Sequence, residues 1–157
     1  MRKFVSKELI VAAGLLAAPA TETRPHVESV RVNNPDPRLQ RLSQFLVDRD
    51  CPIKTLAPDF IQAADQNNLD WRLLPSISII ESGGGKDYRN NNVFGWDSCK
   101  QRFPSVRDGI HIVASRLANS KLYRDKNLAG VLKTYNPRED YAPRVLSMMV
   151  ALSPAIN

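Results

Sequence analysis

The sequence predicts a mostly helical, all-α fold that is interrupted by one short irregular or β-hairpin lobe around residues 83–104. Two observations support this fold class. Apolar residues recur at helical spacing in several segments, and most of these segments follow a residue that favours a helix start. The stretch from residue 83 to residue 104 is instead rich in Gly and Asn, which favour turns, and it also contains aromatic residues.

Three helices are predicted before the lobe. The first begins with the Asp-Pro pair at residues 36–37, and the Cys-Pro pair at residues 51–52 ends it. The second begins near Asp59. The third is capped by Asp70 and ends at Glu81. The apolar positions of the first two helices are Leu39, Leu42, Phe45, Leu46, Phe60, Ile61 and Ala64.

Three further helices are predicted after the lobe. Ser105 and Asp108 form a capping-box pattern, with Asp in place of Glu, that opens the first of them. Asn127 caps the second, and the last follows the Asn-Pro pair at residues 136–137. The apolar positions predicted to face the core are Ile110, Val113, Leu117, Leu128, Val131, Leu132, Tyr141, Val145, Met148, Met149 and Leu152.

The N-terminal segment, residues 1–20, has the pattern of a bacterial-type signal peptide. Basic residues precede an uncharged apolar stretch at residues 9–18, and small residues follow it at residues 18–20. This stretch is shorter than the ~20 residues that cross a bilayer, and an uncleaved signal anchor is the alternative. Residues 21–36 are predicted to be a linker, which leaves residues 37–157 as the folded domain. We therefore expect an exported protein, periplasmic or secreted, with no stable membrane span after signal cleavage.

The charge of the chain is mildly basic. The net charge is +6 at pH 7, and residues 1–20 hold three basic residues and one acid, so the remainder carries +4. These charges are scattered, which favours a soluble protein with some attraction to an anionic surface such as a bacterial wall. Basic residues do not cluster with aromatic residues, so nucleic-acid binding is not expected.

Cys51 and Cys99 are candidates for a disulfide, because an even number of cysteines in an exported chain favours pairing. Closing a loop of this length would stabilise the fold by about 4 kcal/mol. Two free thiols are the alternative. A metal site is not expected, because His26 and His111 lie at no zinc-ligand spacing from either cysteine.

Glu81 is the strongest candidate for a catalytic residue. It shares one helix face with Leu74 and Ile77, and three glycines follow at residues 83–85, so we expect a partly buried carboxyl at the edge of a cleft. Burial raises a carboxyl pKa, which lets the group protonate a leaving group near neutral pH. Glycoside cleavage uses such an acid. The chain has neither a complete phosphate-binding loop nor a GxSxG motif.

Five segments carry a family resemblance: residues 73–75 (Leu-Leu-Pro), 79–83 (Ile-Ile-Glu-Ser-Gly), 91–95 (Asn-Asn-Val-Phe-Gly), 135–137 (Tyr-Asn-Pro) and 141–145 (Tyr-Ala-Pro-Arg-Val). Together they resemble the signature of bacterial glucosaminidases of glycoside hydrolase family 73, which belong to the lysozyme-like superfamily. The resemblance covers roughly residues 57–150. It implies a lysozyme-like fold that cleaves N-acetylglucosaminyl bonds in peptidoglycan.

The resemblance also implies roles for individual residues. Glu81 matches the catalytic acid of the family, and Tyr141 matches a tyrosine that lines the cleft opposite it. Gly84 departs from the family, which usually has an aromatic or other bulky residue at this point. Any second carboxylate should lie in the short lobe; Asp97 is the best candidate, with Asp87 in reserve.

Four residues are predicted to bind the substrate: Asn92, Phe94, Trp96 and Tyr135. For Phe94 and Trp96 a place in or over the core is the alternative. The predicted partner is the peptidoglycan glycan strand, and no cofactor is implied. Two other functions stay open: a lytic transglycosylase that uses Glu81 alone, and a catalytically inactive wall-binding module. The Gly-Leu-Met-Gln-type segment of the transglycosylases is absent, which favours hydrolysis.

Overall fold

The computed structural model describes residues 36–153. Within that range the chain folds into six α-helices and one 3₁₀ helix: α1 (Pro37–Asp48), the 3₁₀ helix (Pro52–Leu56), α2 (Ala57–Gln66), α3 (Leu73–Ser82), α4 (Val106–Asn119), α5 (Leu128–Tyr135) and α6 (Tyr141–Leu152). The prediction of a mostly helical fold is confirmed. None of these helices is long and apolar enough to cross a membrane. The predicted signal peptide, and the predicted linker apart from its last residue, lie outside the described residues.

Most of the predicted helix starts are confirmed. The side chains of Asp36, Ser105 and Asn127 each accept a hydrogen bond from a backbone N–H in the first turn of α1, α4 and α5. The prediction for α3 is wrong in detail. Asp70 accepts from the backbone N–H of Arg72 at 2.9 Å, so it closes the turn before the helix instead of capping the helix itself.

The centre of the fold is α3, which packs against α6 on one side and α2 on another. All six residues of its first part, from Leu73 to Ser78, are buried. A helix that is buried on every side has to lie inside the domain. Its last turn is different, because Ile79, Ile80 and Glu81 are only partly buried. The helix therefore begins in the core and ends near the surface, where Glu81 lies.

The lobe at residues 83–104 is irregular, so the hairpin alternative is not observed. Its backbone follows consecutive turns, and within the described chain its only bridge joins Arg89 to Asn92. Ser82, the last residue of α3, anchors the lobe. The Ser82 hydroxyl lies 2.8 Å from the carbonyl oxygen of Val93, and it accepts a hydrogen bond from the N–H of Gly85 at 3.1 Å. The residue after Glu81 thus fixes the lobe to the helix.

Replacing Ser82 by Ala is expected to lower the free energy of unfolding by about 1–3 kcal/mol, because buried backbone groups would lose their partner. Urea unfolding measures this difference. Ser115→Ala is the matched control, since Ser115 is exposed on α4 and should change the value by less than about 0.5 kcal/mol. Equal values for the two variants would contradict the anchoring role of Ser82.

The predicted disulfide between Cys51 and Cys99 is not formed, and both thiols are free. Cys51 is buried beneath the glycines that follow α3, where a Cβ on Gly84 would lie 2.5 Å from its sulfur. Cys99 instead lines the cleft described below. The Cys51 side chain therefore fills the space beside Gly84, which explains why this position holds no bulky residue. Burial raises the pKa of the Cys51 thiol.

Candidate active site

Glu81 lies in a cleft of about 840 Å³ between the end of α3, the lobe, the segment that joins α4 to α5, and the end of α5. The lining residues are Glu81, Gly95, Trp96, Asp97, Ser98, Cys99, Gln101, Arg116, Leu122, Tyr123, Tyr135, Asn136 and Pro137. The volume suits a ligand of several sugar rings or a drug-sized molecule. The cleft therefore has room for a polymeric substrate next to a carboxyl group.

The pKa of Glu81 is raised above its usual value. Partial burial is the largest cause, because it disfavours the charged carboxylate. The nearby Tyr141 hydroxyl and the positive charge of Arg144 act in the opposite direction and lower the pKa. Burial outweighs both. The carboxyl is thus suited to hold a proton at a higher pH than an exposed glutamate does.

Tyr141, at the first position of α6, is placed next to Glu81. Its hydroxyl is buried and makes no hydrogen bond of standard geometry to any described residue, yet it lies close enough to lower the pKa of the Glu81 carboxyl. Burial and the nearby Glu81 charge raise the pKa of Tyr141, so this hydroxyl stays a neutral donor. Tyr141 therefore lies close to Glu81, as predicted.

Replacing Tyr141 by Phe removes a group that favours the ionised form of Glu81. The pKa of Glu81 should therefore rise further, and the alkaline limb of the activity profile should move to higher pH. Turnover should fall about 10- to 100-fold if the hydroxyl also orients the carboxyl. The measurement is the pH dependence of kcat/KM on peptidoglycan. A profile that keeps its position would show that Tyr141 does not act on Glu81.

Gly95 brings the lobe backbone against the carboxyl group from the other side. A Cβ atom at this position would lie 2.6 Å from Oε2 of Glu81 and 3.3 Å from its Cδ. Contacts of that length do not occur between unstrained atoms, so no larger residue fits while the carboxyl keeps this position. The sequence motif contains this glycine, but its contact with Glu81 depends on how the lobe folds back onto α3.

Aromatic side chains form one wall of the cleft. The Trp96 ring packs against Tyr135 at 5.5 Å and against Tyr123 at 5.9 Å between ring centroids. Tyr135 in turn stacks on Tyr141 at 5.8 Å with nearly parallel rings. The guanidinium of Arg116 lies over Trp96 at 5.6 Å. Trp96 and Tyr135 line the cleft and are partly exposed, so their faces are well suited to pack against sugar rings.

Two residues predicted to bind substrate are buried instead, which corrects that prediction. The Asn92 side-chain amide donates to the carbonyl oxygens of Trp96 at 2.9 Å and Gln101 at 3.1 Å, and its oxygen accepts from the Trp96 N–H. Phe94 is fully buried and packs edge-on against Phe60. Both side chains point inward. Asn92 holds the backbone of the lobe by hydrogen bonds, and Phe94 packs in the core.

Tyr135 also connects the lobe to α5. Its hydroxyl donates to the carbonyl oxygen of Phe94 at 2.5 Å, and burial raises the pKa of this tyrosine well above its ordinary value. The side chain therefore fixes the cleft wall and also contributes to its lining. This double role is compatible with the predicted place of Tyr135 in the substrate site.

Asp97 lines the same cleft as Glu81 and is exposed to solvent. Its backbone has a φ of +50°, as do its neighbours Ser98 and Cys99 at similar values, which marks a tight turn at the cleft edge. Asp97 is thus a second carboxylate of the cleft, at its solvent-exposed edge. The reserve candidate, Asp87, is exposed in the lobe and does not line this cleft.

Several cleft residues were not predicted from the sequence. Tyr123, Arg116 and Leu122 come from α4 and the segment after it, and no motif marks them. Arg144 acts on Glu81 from α6, and its place three residues after Tyr141 in one motif was a usable signal. In residues 36–153, no three side chains of His, Cys, Asp or Glu come together as a metal site requires.

No protein-family model matches the chain, and a search of curated proteins finds no match either.

Proposed function

We propose that this chain is an exported peptidoglycan hydrolase that cleaves N-acetylglucosaminyl bonds, with Glu81 as its general acid. The observation that carries the proposal is the partly buried Glu81 carboxyl in an aromatic-lined cleft, with its pKa raised by burial. The motif resemblance supports the same function and a lysozyme-like type of helical fold. Export is supported by the signal-peptide pattern of residues 1–20.

In the proposed reaction Glu81 donates its proton to the glycosidic oxygen while the bond from that oxygen to the sugar C1 breaks. The positive charge that develops on the sugar ring is of the oxocarbenium type. A water molecule then adds to C1 and gives up a proton. Asp97 is the candidate base for this water, because it is the second carboxylate of the cleft.

A second candidate function is a lytic transglycosylase, in which Glu81 acts first as acid and then as base. Its support is the exposed position of Asp97 on a turn at the cleft edge, since such an enzyme needs no second carboxylate. In that reaction a hydroxyl of the sugar itself attacks C1, and the product carries a 1,6-anhydro ring in place of a reducing end.

Mass spectrometry of peptidoglycan digested by the purified protein separates these functions. Reducing N-acetylglucosamine ends are the expected product and would support the hydrolase. Anhydro-muramyl ends would instead support a lytic transglycosylase in which Glu81 is the catalytic group. Intact glycan in the presence of folded protein, as judged by circular dichroism, would reject both enzymes and favour a wall-binding module.

A further inference from the structure

A second concavity of about 480 Å³ lies beside the candidate active site, between the end of α1, α3 and α6. Ile80 and Met148 contribute apolar surface to it, Ala151 leaves space along α6, and Arg49 and Arg144 contribute guanidinium groups. We call this concavity the basic trough. Its combination of apolar surface and positive charge differs from the aromatic cleft, with which it shares no lining residue.

Two residues of the basic trough lie close to Glu81. Ile80, which lines the trough, directly precedes Glu81 on α3, which lines the cleft. Arg144 lines the trough one turn after Tyr141 on α6, and its charge acts on the Glu81 carboxyl. A substrate bound across Glu81 would therefore place the groups next to its reacting bond within reach of the trough.

The two arginines are well placed to bind carboxylates. The Cζ atom of the exposed Arg49 guanidinium lies over the buried Phe45 ring, 3.6 Å from its centroid, which restrains the position of the group. Arg144 is about half exposed, and its ion pair with Asp140 is long, at 3.7 Å. Lys86 adds positive charge nearby, because its Nζ donates to the Arg49 carbonyl oxygen at 2.8 Å. A guanidinium offers paired donors that match the two oxygens of a carboxylate.

We propose that the basic trough binds the acidic peptide that peptidoglycan carries on the muramyl sugar beside the cleaved bond. Carboxylates of this peptide would pair with Arg49 and Arg144, and its alanine methyl groups would contact the apolar surface formed by Ile80 and Met148. The inference rests on the proposed function, because it makes peptide-bearing strands the preferred substrate of the same site. Glycan strands without peptides should be cut more slowly.

The test compares two substrates: intact peptidoglycan, and the same strands after an amidase has removed the peptides. We expect kcat/KM to be about tenfold higher for the peptide-bearing strands. Arg49→Gln should bring the ratio of the two values close to one, and so should Ala151→Phe, which fills the trough. Val150→Phe is the matched control for the second variant, because Val150 is the neighbouring residue and is 71% exposed outside the trough. It should keep the wild-type ratio.

Binding of muramyl dipeptide, measured by calorimetry, provides a readout that does not depend on cleavage. We expect its Kd to rise about tenfold in Arg49→Gln and to stay unchanged in Val150→Phe. Equal rates on both substrates, with binding insensitive to Arg49, would overturn the trough proposal and leave the hydrolase in place. Arg49-dependent binding without cleavage of either substrate would support the trough and reject the hydrolase.

Discussion

Replacing Glu81 by Gln is expected to lower glycan cleavage by about 10²- to 10⁴-fold, the contribution of a positioned general acid. The glutamine keeps the size and polarity of the side chain but has no proton to give to the glycosidic oxygen. Release of soluble fragments from purified peptidoglycan measures the loss. In the wild-type protein, activity should fall as the pH rises above the raised pKa of Glu81, because only the protonated carboxyl is active.

The same substitution should change stability in the opposite direction. Because the pKa of Glu81 is higher in the folded protein than in the unfolded chain, the folded state holds more protons between these two values. The wild-type protein therefore loses stability as the pH rises through this window, and it keeps its full stability below the ordinary pKa of a glutamate. Gln cannot ionise, so the variant should gain stability relative to wild type at pH 7 but not at pH 4.

Glu139→Gln is the control for both measurements. Glu139 is exposed in the turn before α6 and does not line the cleft, so its replacement should leave cleavage and the pH dependence of stability unchanged. Thermal unfolding at the two pH values separates the variants. An active Glu81→Gln protein would exclude Glu81 as the acid. An inactive variant that is also less stable at pH 7 would show that Glu81 supports the fold instead.

Local patterns in the sequence were sufficient to predict most of the fold. Helix starts at Asp36, Ser105 and Asn127 depend on neighbours within a few residues, and so does the apolar spacing that follows them. The 3₁₀ helix Pro52–Leu56 was not predicted, because five residues are too few to show a periodic pattern. The cysteine prediction failed because a count of two says nothing about where Cys51 and Cys99 lie in space.

The candidate site could be predicted only in part for a related reason. Glu81 and Tyr141 stand in motifs, and the fold brings them together as the resemblance implied. Asn92 and Phe94 also stand in a motif, but they hold the lobe in place and do not line the cleft. A short loop without strands depends on such buried side chains to fix its backbone. Contacts such as Gly95 against Glu81 depend on two distant segments meeting, and no local pattern contains that information.

Replacing Gly95 by Ala should reduce cleavage about 100-fold while costing only moderate stability. The new Cβ would lie 2.6 Å from Oε2 of Glu81, and the easiest relief is movement of the carboxyl, which ends a flexible side chain. A displacement near 1 Å is enough for a loss of about 10²-fold in rate. The backbone strain is separate, because φ at Gly95 is +62°, where an L-residue costs about 1–2 kcal/mol.

Gly83→Ala distinguishes these two effects, since Gly83 has the same φ of +62°. A Cβ at Gly83 would meet only the Lys86 side chain, at ordinary distances of 3.4 Å or more. The two variants should therefore lose similar stability in urea unfolding, whereas only Gly95→Ala should lose most of its activity. Equal activities would mean that the carboxyl adapts without loss of function. A much lower stability for Gly95→Ala would mean that the lobe, and not the carboxyl, takes up the strain.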